Sequence, residues 1–183
     1  MHVVAFLVRA LSGVNRLVGN VFSWLALAIV VVCFTVVVQR YVFSTTQVWM
    51  QDLYVWLNGA MFTAVAGFAL LRDDHVRVDI FYRPAGLKTK AAVDLIGVLI
   101  FIVPYCYVIF AYGLPYVQRS WRLYEASPNV GGMPGFFVLK SFILIFGLLI
   151  LIQGLAMIGR SVLILRDRMD LVPEHLRYGH GKE

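Results

Sequence analysis

Few side chains in this 183-residue chain are equipped for chemistry, and their positions decide which kinds are open to it. Its four histidines are His2, His75, His175 and His180. A haem held inside a helical bundle needs axial histidines facing one another from within long apolar helices. All four stand outside the long uncharged runs of this chain, so haem ligation is not expected. Its two cysteines, Cys33 and Cys106, sit singly in the middle of such runs. There they read as small packing residues and not as the paired thiols of a disulfide exchanger. An ion or proton pathway would place Asp, Glu, Lys or Arg within the runs. None does, and only Asn58 and Gln153 are strongly polar well inside them. No catalytic residue, cofactor or metal site is expected.

The elements that carry these residues follow from composition. Apolar residues make up 61% of the chain and charged residues 14%, against about 45–50% and about 25% in soluble domains. The charges bound four uncharged runs: Leu17–Gln39, Leu53–Leu71, Leu95–Gln118 and Ser141–Gly159. Each approaches or exceeds the roughly 20 residues that a helix needs to cross a bilayer. The chain is therefore read as an all-α membrane protein, one domain over residues 1–183 with four transmembrane helices at about 17–39, 53–71, 95–118 and 141–159. Lys and Arg number twelve in the two termini and the second connection, against four in the first and third connections. The positive-inside rule then places both termini in the cytoplasm. The first run is too long for a signal-peptide core and is read as an uncleaved anchor. Ahead of it, His2, Arg9, Ser12 and Arg16 share one helical face. That pattern fits either a short interfacial helix or the frayed start of the first span.

Two features point to packing and contacts. Gly59, Thr63 and Gly67 recur every four residues in the second run, beside Ala60 and Ala64. Such a seam lets helices approach closely, either inside the bundle or against a second protein. Gly147, Gly154 and Gly159 make a weaker seam in the fourth run, and Pro104 is expected to kink the third. The remaining distinctive residues lie in two connections. One runs Arg72-Asp73-Asp74-His75-Val76-Arg77-Val78-Asp79, where Arg77 has the helical spacing to pair with Asp73. The other holds Ser120-Trp121, Glu125, Ser127 and Gly131-Gly132-Met133-Pro134. Here the glycines supply a tight turn and Pro134 fits the first turn of the fourth span. Lys140 would lie just over one turn inside that helix, its ammonium reaching outward to a phosphate or to Glu125.

In this order the residues resemble the small membrane subunit, or Q subunit, of tripartite ATP-independent periplasmic (TRAP) transporters. The resemblance covers roughly residues 40–160. It rests on Trp49 with Asp52, the segment from His75 through Arg77 to Asp79, and Ser120-Trp121 with Glu125 and Ser127. It continues through Gly132, Pro134 and Lys140 to Gln153-Gly154. Asp52, preceded by Gln51, stands where a glutamate is expected. The resemblance implies an accessory, non-enzymatic subunit in the bacterial inner membrane. It would brace a large permease subunit and help dock a periplasmic solute-binding protein. The coupled ion would be sodium and the cargo an organic anion such as a carboxylate. Candidate contact residues are Trp49, Asp52, Gly59, Gly67, His75, Arg77, Asp79, Trp121, Glu125, Gly132, Pro134 and Lys140. Membrane lipid is the other expected partner; nucleic acid is not. Two rivals remain: the membrane anchor of a redox enzyme, and an independent small transporter.

Overall fold

The structure, a computed structural model, describes residues 1–72, 82 and 84–178, with only the backbone of His175. It is all helical among these residues. Helix α1 spans His2–Ser23, α2 Leu25–Tyr41 and α3 Val48–Leu71. Helix α4, Leu87–Gly97, passes through a π-helical segment, Val98–Ile102, into α5, Val103–Arg122. Helix α6, Phe136–Leu165, is followed by two short 3-10 turns, Met169–Leu171 and Glu174–Leu176. Taking α1 with α2 and α4 with α5, four helical rods are long and apolar enough to cross a membrane.

Helix α6 is the axis of the bundle. It packs against α1, α3, α4 and α5, and its glycines admit the neighbours. Ile109 presses on Gly147, Ile102 on Gly154 and Val8 on Gly159. The Gly59–Gly67 seam of α3 serves this interior. Leu139 of α6 lies against Gly59, while Asn15 of α1 and Leu149 of α6 lie against Gly67. Asn15 is almost wholly enclosed and donates from Nδ2 to the Leu149 carbonyl (3.2 Å) and to Gln153 Oε1 (3.1 Å). Lipid has no competing partners to offer, so such a bridge fixes the registry of α1 on α6. By contrast α2 buries no residue, and Leu27, Val30, Val31, Phe34 and Val37 stand exposed on it.

Several expectations are corrected here. The first 16 residues form no separate short helix: they open a 22-residue helix with Ala5, Val8, Ser12, Asn15 and Gly19 buried at helical spacing. Ser12 belongs to that inward stripe and not to a polar face with Arg9 and Arg16. The helices also extend past the charges that bound the runs: Asp52, Asp94, Arg119 and Arg160 lie inside helices, and Lys140 does so as expected. A helix continues past a charge wherever that charge finds a partner or water. Pro104 follows a π turn in which Val103 N–H reaches back to the Val98 carbonyl. The widened turn accommodates the donor that proline lacks. Pro134 stands two residues before α6, because Gly135, with φ of 90°, intervenes as its N-cap.

A Cβ on Gly67 would overlap Asn15 Oδ1 and approach Leu149 Cβ to 3.1 Å, whereas one on Gly13 of α1 meets nothing within 4 Å. Gly67→Ala is expected to destabilise by about 1–3 kcal/mol through overpacking. Gly13→Ala should stabilise by about 0.4–1 kcal/mol by stiffening the unfolded chain. Thermal unfolding of the two variants in detergent checks the contrast.

Candidate functional site

The polar side chains collect at the two ends of the bundle. At the end far from the termini, a type II-like turn closes from the Asn129 carbonyl to Gly132 N–H (2.9 Å), with Gly131 at φ of 77°. This turn folds over the start of α3. Asp52 is 7% exposed and receives Asn129 Nδ2 on Oδ1 (2.9 Å) and Met133 N–H on Oδ2 (3.0 Å). Ser127 Oγ accepts Asn129 N–H (3.2 Å) in the same turn. Gly132 is a close-approach position: a Cβ there would strike Asp52 Oδ2 and sit 2.6 Å from Ser127 Oγ. Sequence reading singled out Asp52 and Gly132 separately, and the fold joins them in one clasp. The turn lifts Val130, 97% exposed, to its tip.

Beside it lies a second polar contact. Helix α5 ends in a Schellman turn, with Tyr124 at φ of 44° and Glu125 N–H returning to the Ser120 carbonyl at 3.2 Å. That turn aims Glu125 back at the bundle. Its Oε2 accepts the Ser120 hydroxyl (2.6 Å) and the Lys140 ammonium (2.6 Å). Lys140 Nζ also lies 4.3 Å from the Tyr116 ring centroid, a cation–π contact. The expected reach of Lys140 to Glu125 is therefore present. Lys140 and Ser120 hold the Glu125 carboxyl below the ordinary carboxylate range. Trp121 donates from Nε1 to Ser141 Oγ (2.9 Å) and stacks at a tilt on Phe137. Trp49 is exposed on the first turn of α3. Pro134 is exposed beside the clasp. Gly59 and Gly67 face the interior, and His75, Arg77 and Asp79 lie outside the described residues.

The opposite end holds a site that reading by runs passed over. Asp94 of α4 and Arg160 of α6 form an ion pair at 2.7 Å, with side chains 7% and 6% exposed. Both charges served to bound runs, so neither was counted inside one. Their opposite signs, on runs whose ends share one side, were the available signal. Asp94 also accepts the hydroxyls of Tyr82 (3.0 Å) and Tyr178 (2.7 Å). Burial raises the Tyr178 phenol pKa. Well inside α3, Asn58 is exposed and makes no hydrogen bond among the described residues. The described residues contain no group of three or more His, Cys, Asp or Glu able to hold a metal.

Asp52→Asn turns an amide donor toward one of the clasp's donors, and is expected to cost about 1–3 kcal/mol. Gly132→Ala should loosen the same turn, read as faster proteolysis between Ser127 and Met133. The Glu125 contribution carries a pH signature. Because its folded pKa is depressed, the ion pair is fully present above the ordinary value of about 4.5 and fades as pH falls through the lower folded value. Acid unfolding followed in wild type and Glu125→Gln checks this: the variant should lack that part of the acid loss.

No curated protein and no solved structure matches the chain. Residues 29–163, spanning α2 through most of α6, match the family model described as tripartite ATP-independent periplasmic transporters, DctQ component. That stretch contains α3 to α5, the far-end clasp and the Asp94–Arg160 pair, and the chain belongs to the DctQ family, the non-enzymatic small membrane component of TRAP transporters.

Proposed function

We propose that this chain is the static brace of an ion-coupled importer of an organic anion such as a carboxylate, with sodium as the coupling ion. It packs against a large permease subunit in the bacterial inner membrane, with both termini cytoplasmic, and helps to seat a periplasmic solute-binding protein at its far end. One observation carries the reading: among the described residues, the buried ionisable side chains are consumed by the fold itself. Asp52 is spent on the clasp, and Asp94 and Arg160 on each other. Such groups hold helices together and do not line a passage. The asymmetry of Lys and Arg supports the topology. The exposed Trp49, Trp121, Leu123, Tyr124 and Val130 supply an amphipathic and apolar surface for docking at the far end.

Along the flank, the exposed amide of Asn58 favours a protein neighbour over lipid, which cannot hydrogen-bond it. Reconstitution into liposomes tests the whole. Uptake is expected only when this subunit, the large subunit and the binding protein are all present. Uptake by this chain alone would overturn the accessory reading. In the same system Asn58→Leu should leave the subunit folded and lower recovery of the large subunit by about tenfold, the equivalent of one interhelical hydrogen bond.

A further inference from the structure

Residues 166–178 lie beyond the stretch that matches the family, yet they include some of the best-enclosed side chains in the chain. Helix α6 ends in a left-handed turn at Asp167, φ of 55°, where Arg168 N–H returns to the Leu163 carbonyl at 2.9 Å. The backbone then doubles back over the end of the bundle. Val172, 1% exposed, and Leu176, 5% exposed, enter an apolar cluster with Ala5, Val8, Ala91 and Leu163. Arg177 steadies the fold-back by donating to the carbonyls of Val172 (3.2 Å) and Met169 (3.4 Å). Beyond it, Tyr178 closes on Asp94 Oδ2 while Tyr82, from the α3–α4 connection, closes on Oδ1. The two phenol rings meet edge to face at 6.4 Å, and the Arg160 guanidinium lies 4.7 Å from the Tyr178 ring centroid.

We propose that residues 166–178 are a strap that fixes the α3–α4 connection at Tyr82 and so sets how that connection meets the large permease subunit; this rests on the accessory reading. Asp94 is the shared post. A carboxylate buried beside Arg160 still needs its remaining lone pairs filled, and one phenol from each segment does so. The apolar residues of the strap keep water from the pair, which strengthens every bond to Asp94. Lifting the strap removes one partner of the Tyr82 ring, which Lys90 also approaches at 5.6 Å, and wets the post to which Tyr82 is tied. Tyr82 stands three residues beyond Asp79, the last residue of the charged segment expected to face the partner.

The test uses the full chain coexpressed with the large subunit, carrying Cys33→Ala, Cys106→Ala and Ala91→Cys. Ala91 is 0% exposed against the strap, so its thiol reports on closure through reaction with a water-soluble maleimide. Deleting residues 168–183 is expected to speed labelling by about tenfold or more and to lower recovery of the large subunit. Tyr178→Phe, which keeps the ring and removes the hydroxyl, should shift both in the same direction by less. Labelling that is no faster in either variant would overturn the strap. Faster labelling with undiminished recovery would overturn its role in presenting the connection. Failure of the unaltered chain to recover the large subunit at all would instead overturn the accessory reading on which the proposal rests.

Discussion

Hydrocarbon offers no hydrogen-bond partner, and this constraint arranges the whole bundle. It favours buried polar groups at an end of the bundle or where a partner answers them from within. The chain answers at three levels. Asp52 gathers the far-end turn, Asn15 and Gln153 meet between α1 and α6, and Asp94 and Arg160 close the end near the termini. Between these levels the contacts are small residues and apolar side chains, which hold helices by fit alone. Each level joins segments distant in sequence, so together they fix which helix lies beside which.

The terminal-end pair is a poor source of net stability and a strict specification. Removing two charges from water costs about as much as their attraction returns, whereas stranding either one alone costs about 3–5 kcal/mol. The arrangement of α4 against α6 that unites Asp94 with Arg160 is thus strongly preferred over any that separates them. At the far end the constraint is softer, because Lys140, with an 11% exposed side chain, and Glu125, with a 36% exposed one, keep some access to water. Side chains there can adjust while α6 beneath them stays in register.

The helical class and the number of rods were legible because uncharged runs of membrane length have no other use. Lys140 with Glu125 was legible too: an ammonium one turn inside a helix has few places to go. Helix ends were not, since Asp94 and Arg160 look like boundaries until the fold shows each as the partner of the other. Ser12 was grouped with the charged residues before the first run because it is polar by type, whereas it is interior by environment; Asn15, on the same buried stripe, finds its acceptors on α6, 134 and 138 residues away. The clasp lay between these extremes. Its residues were singled out one by one, but nothing in their spacing brings Asp52 to Asn129, 77 positions further on.

The π segment at Val98–Ile102 sits between two ends that must each point correctly. It amounts to one residue inserted into a helix that absorbed it without breaking, and each residue of an α-helix advances the face by about 100°. The segment is therefore a phase shifter. It lets the α4 half turn Asp94 toward Arg160 while the α5 half turns Ser120 toward Glu125. In a straight rod those two headings would be locked together by arithmetic. The widened turn resets the offset between them, so that one rod satisfies both ends.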